Sequence, residues 1–244
     1  MNITEPKDRI IVALDVRTLD EAENLVEILA PYVGCFKVGL ELITSVGAPQ
    51  IVKMIHDREG KVFLDGKFND IPNTLAKASA AASGLGVAMF NVHASSGIEG
   101  MRAVVKYKDL SEVLAVTVLT SFEENNAHLV FGAPSKAKVI QFARDAKLAG
   151  VNGVICSPLE LPILCKQKEL EGLSLVTPGV RPSWAEAGDQ KRIMTPTDAI
   201  IAGATMLVIG RPITEPPQSI GTPADAAERI IAEVTLGLKR RDAE

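Results

Sequence analysis

Three cysteines and three histidines in 244 residues leave little material for redox or metal chemistry. Cys35, Cys156 and Cys165 are odd in number and form no C-x-x-C pair, so reduced thiols in a cytoplasmic protein are the simplest expectation. Cys35 and Cys156 lie within apolar runs, where a thiol packs as a small hydrophobe. His56, His93 and His128 are scattered without the spacing of a zinc ligand set, and no metal site is expected. Apolar runs are short and acidic residues precede the first of them, so neither a membrane span nor a secretory signal is expected. A net charge of -4 supplies no basic field for nucleic acid, and the Lys and Arg residues are dispersed apart from the terminal "LKRRDAE". The first apolar run is not followed by G-x-G-x-x-G, which removes the usual dinucleotide signal. Neither a linker nor a break in composition divides the chain.

What the sequence has is a regular alternation. Eight short apolar runs, "RIIVALDV", "CFKVGL", "KVFLDGKF", "VAMFNVHA", "EVLAVTVL", "GVICSP", "LSLVTPGV" and "MLVIGR", read as strands. They are rich in Val, Ile and Leu without strict polar alternation, as strands buried on both faces of a parallel sheet are. Amphipathic stretches separate them. "TLDEAENLVEILAPY" opens with Thr18 and Glu21 at capping-box spacing, "SKAKVIQFARDAKLAG" with Ser135 as a cap and Gly150 as a stop, and "TPADAAERIIAEVTLGLKR" closes the chain. Eight strand–helix units in this length predict an α/β fold of the (β/α)8 TIM-barrel type, one catalytic domain over residues 1–244. The C-terminal ends of its strands would then carry Asp15, Lys37, Asp65, Lys67, His93, Thr120, Arg181 and Arg211, where barrel enzymes do their chemistry.

The stretch "FLDGKFNDIPNT" concentrates the question. On an extended strand, residues two apart share a face, so Asp65 and Lys67 would both point inward. Asp70 lies just beyond, before Pro72, a residue suited to the first turn of a helix. Carboxylates on either side would keep Lys67 charged, a proton donor rather than a Schiff-base amine. By themselves these residues fit a rim ion-pair cluster as well as a proton-transfer site. Trp184 would cover apolar surface, and "SFEENNAHLVFGAPS" reads as a polar flap after the fifth strand.

"FLDGKFNDIPNT" resembles the signature of orotidine 5'-phosphate decarboxylases, Asp-x-Lys-x-x-Asp followed by Ile-Pro-x-Thr. The likeness continues, in that family's order, through "IIVALDV", "FKVGLEL", "NVHASSG", "AVTVLTS", "LVTPGVRP", "AGDQKRIMTP" and "VIGRP". Gly66 stands where the family often has Leu, and Asn69 where it often has His. The resemblance implies cofactor-independent decarboxylation of orotidine 5'-phosphate to uridine 5'-phosphate. Lys67 would protonate C6, held charged by Asp65 and Asp70, and Lys37 would extend the alternating charges. Asp15 and Lys37 would contact the ribose hydroxyls, and Thr120 the pyrimidine edge. Gly210 and Arg211 would bind phosphate with Arg181, and Gln190 would bridge phosphate and base from a closing loop, "RPSWAEAGDQKRIMTP". Ile71 and Thr74 complete the implied substrate contacts. The family pattern also implies a homodimer in which the neighbour supplies Asp70 and Thr74.

Two alternatives stand beside this. A related metal-dependent sugar-phosphate decarboxylase shares the Asp-x-Lys-x-x-Asp signature, but it wants a carboxylate at the end of the second strand, where this chain has Lys37. A catalytically dead, nucleotide-sensing barrel would tolerate loss of Lys67 or the aspartates, all of which are present. At this length there is no room for a fused orotate phosphoribosyltransferase, an organisation that looks bacterial.

Overall fold

The computed structural model describes residues 3–122, 124–185 and 193–243. All eight apolar runs form strands: β1 (Ile10–Leu14), β2 (Cys35–Val38), β3 (Val62–Phe68), β4 (Met89–His93), β5 (Glu112–Val116), β6 (Gly153–Ile155), β7 (Ser174–Pro178) and β8 (Met206–Ile209). They pair in parallel in chain order, and β8 returns to β1, closing the barrel.

The absence of polar alternation now has its cause. Along β1, Ile11 and Ala13 face the barrel interior with Cys35, Phe63, Met89 and Leu114. Ile10, Val12 and Leu14 face the surrounding helices. Both faces exclude water, so every β1 position is apolar and buried. Burial pushes the Cys35 thiol up to about 12, and that of Cys156 higher still, which suits packing rather than reactivity.

The helix signals hold with one exception. Thr18 and Glu21 form the expected capping box on Leu19–Leu29. The structure adds one not read from the sequence, Thr222 with Asp225 on Pro223–Arg241. Gly150 ends Ser135–Ala149 in the left-handed region, at φ 83°. Ser135, expected to cap that helix, is instead its first residue. Its N–H donates to the Glu124 carboxylate at 2.9 Å, and its own hydroxyl is buried without a partner. Glu124 belongs to a short helix, Glu124–Phe131, in the stretch read as a polar flap. The ring of Phe131 packs on Phe122 and Phe142, which gives that segment an apolar attachment.

At the opposite end of the barrel from the strand C-termini, the N-terminal turn Pro6–Arg9 crosses the start of β2. A Cβ on Gly34 would lie 2.5 Å from the Asp8 carbonyl oxygen and 2.6 Å from its Cα. Backbone cannot yield as a side chain can. Gly34→Ala should therefore cost about 2 kcal/mol of stability, seen as a lowered urea midpoint with an unchanged slope. A midpoint equal to wild type would show that the turn moves away freely.

Candidate active site

Four of the predicted residues form one continuous chain of alternating charge. Lys37 Nζ, on β2, donates to Asp15 Oδ1 at 3.0 Å, one residue past the end of β1. The same ammonium lies 3.4 Å from Asp65 Oδ2, and Lys67 Nζ donates to Asp65 Oδ1 at 2.7 Å. Only 10 % of the Asp65 side chain and 11 % of Lys37 are exposed, so these charges are partly desolvated and their attraction is less screened than on a surface. Lys67 is more open, with a third of its side chain exposed, and its ammonium can meet a ligand.

The ammoniums overlook a cavity of ≈ 170 Å³. Phe63, Val116, Ile155 and Val208 supply its apolar wall, and Thr120 reaches it from beyond β5. Such a wall keeps water from competing for the charges above it.

The local backbone departs from the expected extended strand. Leu64 pairs with Phe90 and Phe68 with Val92, so Asp65, Gly66 and Lys67 bulge opposite Asn91 alone. Lys67 takes φ 48°, a left-handed conformation that costs a non-glycine residue roughly 1–2 kcal/mol. The bulge rather than simple alternation brings its side chain back onto Asp65. Phe68 anchors the far side of the bulge, its ring 5.8 Å from that of Phe90. Gly66 leaves space for the Phe68 ring: a Cβ would lie 2.7 Å from it.

Sequence reasoning missed one buried contact. Asn91 is fully buried, accepts from the Lys67 backbone N–H at 2.6 Å and donates to Asp65 Oδ1 at 2.7 Å. The available signal was a polar amide in the middle of the apolar run "VAMFNVHA".

The remaining residues fall into two groups. Arg181 is buried, its guanidinium donating to the Val180 carbonyl, and burial followed by the nearby charge of Arg211 lowers its pKa. Gly210 precedes the short turn of helix Arg211–Thr214 and lies beside Ala13 and Asp15, which joins this cationic corner to the charge chain. Asp70, Ile71 and Thr74 instead face outward and are exposed, the Asp70 carboxylate accepting from the Ile71 N–H at 2.7 Å. Gln190 lies outside the described residues. Trp184 packs on the core at the near end of that stretch. Among the described residues no group of three or more His, Cys, Asp or Glu side chains is placed to hold a metal ion.

A closed parallel barrel with ionisable groups gathered at the C-terminal ends of its strands has the layout of a barrel enzyme. This chain belongs to the orotidine 5'-phosphate decarboxylase / HUMPS family, whose model matches residues 8–230. It is 45% identical over 245 residues to the orotidine 5'-phosphate decarboxylase of Geotalea daltonii, covering 97% of this chain and 100% of that one. The Heliobacterium modesticaldum protein of the same name is 46% identical, over 97% of this chain and all of its own. Among solved structures, orotidine 5'-phosphate decarboxylase from Lactobacillus acidophilus superposes with a TM-score of 0.78 at 31% identity, covering 92% of this chain and 98% of that one.

His93, half-buried at the end of β4, has its pKa lowered from 6.5, first by burial and then by the Lys67 charge, with Asp65 opposing. Between the depressed value and 6.5 the unfolded chain binds more protons than the folded one, so this residue makes stability fall as pH drops through that window. His93→Gln should flatten that part of the profile, measured by denaturant midpoints at about pH 7 and about pH 5.5. Parallel profiles for the two proteins would refute the assignment.

Proposed function

We propose that the protein decarboxylates orotidine 5'-phosphate to uridine 5'-phosphate and carbon dioxide, as a single catalytic barrel spanning residues 1–244. The observation that carries this is the Lys67 ammonium, held on Asp65 at 2.7 Å above an apolar wall. Relatives of the same name, matched over nearly the full chain, support the choice of substrate.

In the reaction the bond between C6 and its carboxylate breaks, and carbon dioxide leaves. The electron pair stays on C6 in the ring plane, where the π system cannot delocalise it. Stabilisation is therefore electrostatic, from an ammonium already in place. Lys67 transfers a proton to C6 and recovers one from solvent, so one proton is consumed per turnover. Asp65, with Asp70, holds Lys67 in position and faces the departing carboxylate. Lys37 and Asp15 take the ribose hydroxyls, and Thr120 takes the pyrimidine edge. Arg211, the Gly210 N–H and Arg181 form the phosphate corner, with Gln190 bridging phosphate and base. Binding energy from that remote group serves the reacting centre.

The chain uses no cofactor in this reading. A metal-dependent sugar-phosphate decarboxylase is disfavoured because a cation at the end of β2 would meet the Lys37 ammonium, already shared by Asp15 and Asp65. A dead sensor is disfavoured because the charge chain is intact. The reading places the activity in the cytoplasm, where free thiols stay reduced, and requires neither nucleic acid nor a membrane. Among the described residues no helix is long and apolar enough to cross a bilayer.

Wild-type protein should consume orotidine 5'-phosphate with release of carbon dioxide in the presence of EDTA. Lys67→Ala should lower turnover about 10³-fold or more while uridine 5'-phosphate still binds. Activity abolished by EDTA and restored by magnesium would favour the sugar-phosphate relative, and near-normal turnover by Lys67→Ala would remove the proton donor.

The proposed assembly is a homodimer in which Asp70 and Thr74 enter the neighbouring site, with Ile71 beside them. Their outward exposure supports it, as does the exposed apolar side chain of Ile71 beside the mouth, 66% accessible in the isolated chain. Lys67→Ala and Asp70→Ala chains, each inactive, should regain activity when mixed. A heterodimer holds one site with both lesions and one with neither, hence about half of wild-type activity. Subunit exchange confirmed by mass without recovery would put Asp70 in its own chain's site.

A further inference from the structure

We infer that Asn91 is a positioning residue for the decarboxylation, a single carboxamide that fixes Lys67 at both ends. The inference rests on the reading of Lys67 as proton donor. The bulge in β3 takes the Lys67 N–H out of the regular ladder, and Asn91 Oδ1 accepts it at 2.6 Å. The other end of the same carboxamide donates to Asp65 Oδ1 at 2.7 Å, the oxygen that also receives Lys67 Nζ at 2.7 Å. Orientation of the amide is unambiguous, because a backbone N–H needs an oxygen and a carboxylate needs a donor.

Two costs make the clamp necessary. A lysine at φ 48° relaxes towards ordinary backbone unless something holds it. A carboxylate between two ammoniums, Lys37 and Lys67, can rotate between them unless a neutral donor fixes its plane. Asn91 meets both needs from a fully buried position without adding charge. Aspartate there would oppose Asp65, and an aliphatic residue would leave the Lys67 N–H without its acceptor.

Two variants and two measurements test this. Asn91→Ala should lower kcat about 100-fold while the dissociation constant of uridine 5'-phosphate changes less than about tenfold, because geometry at the reacting centre is lost rather than the binding contacts. Asn91→Asp keeps the acceptor for the Lys67 N–H but sets a carboxyl against Asp65. Lys67 and Asp65 on β3, Lys37 on β2 and His93 on β4 are the charged or titratable groups around that point, and β5 presents Leu114 and Val116. Two apposed carboxyls share a proton as pH falls, and the protonated form restores a donor to Asp65. The ratio of Asn91→Asp to wild-type kcat should therefore rise as pH is lowered, while the ratio for Asn91→Ala stays flat. Amide hydrogen exchange at Lys67 should be protected in wild type and faster in Asn91→Ala, whatever the activity.

Both activity ratios flat with pH, Asn91→Ala within about threefold of wild type, or unchanged exchange at Lys67 would overturn the inference. So would loss of fold in both variants, which would assign Asn91 to the core alone. Wild-type protein inactive on orotidine 5'-phosphate, with the Lys67 amide still protected through Asn91, would instead refute the substrate reading and leave the clamp standing.

Discussion

A carboxylate that is nine-tenths buried needs cations within reach, and in this barrel Asp65 has two. Removing one partner of such a buried pair leaves a charge whose desolvation costs several kcal/mol. Lys37 Nζ at 3.4 Å and Lys67 Nζ at 2.7 Å meet that need from adjacent strands. Asp15 then balances Lys37 at 3.0 Å, so the four side chains sum to no net charge. Each position in the mouth is thereby tied to its neighbour: β1 to β2 through Asp15 and Lys37, β2 to β3 through Lys37 and Asp65. The barrel's parallel pairing sets the spacing that these contacts require.

The charge chain sits on a frame that does not share its strain. Beneath it the barrel interior is filled by apolar side chains such as Ile11, Phe63, Met89 and Leu114. Regular pairing of β3 with β4 runs through Phe63 and Leu64 and breaks only where the charges begin. Left-handed backbone at Lys67 is held between a packed strand on one side and the Phe68–Phe90 ring contact on the other. The local cost falls where a lysine is turned back on an aspartate, the arrangement the proposed chemistry needs, and the surrounding core over-determines it.

What could be read from sequence follows the same division. Strands buried on both faces write themselves as unbroken Val, Ile and Leu, and the capping box at Thr18 is a local pattern, so both were legible. The residues of the charge chain were legible because polar groups at the ends of apolar runs have few structural reasons to recur. Lys67 at positive φ was not, since lysine carries no local preference for it and only the register with β4 imposes it. Ser135 was misread for a similar reason: a serine ahead of a helix is a natural cap, but Glu124, eleven positions earlier, takes the N–H. The flap could not be recognised as partly helical because its ordering comes from Phe131 packing on Phe142, a contact across elements.

The two guanidiniums across the mouth carry the opposite lesson from Asp65. Arg181 is 8% exposed and its pKa is lowered, by burial first and Arg211 second. Like charges brought together in a partly dry place raise the free energy of the empty site. A phosphate dianion would relieve that repulsion on arrival, whereas an uncharged nucleoside would leave it in place. In the proposed reaction the relief comes from a group that takes no part in bond breaking. In that reaction its effect would reach C6 through rigid elements, and Gly210, just past β8, lies near Asp15: a Cβ placed on it would stand 3.7 Å from Asp15 Oδ2. In the proposed reaction the cationic corner and the alternating charges would be two halves of one device: one half would gain energy when the phosphate binds, and that gain would serve the geometry of Lys67.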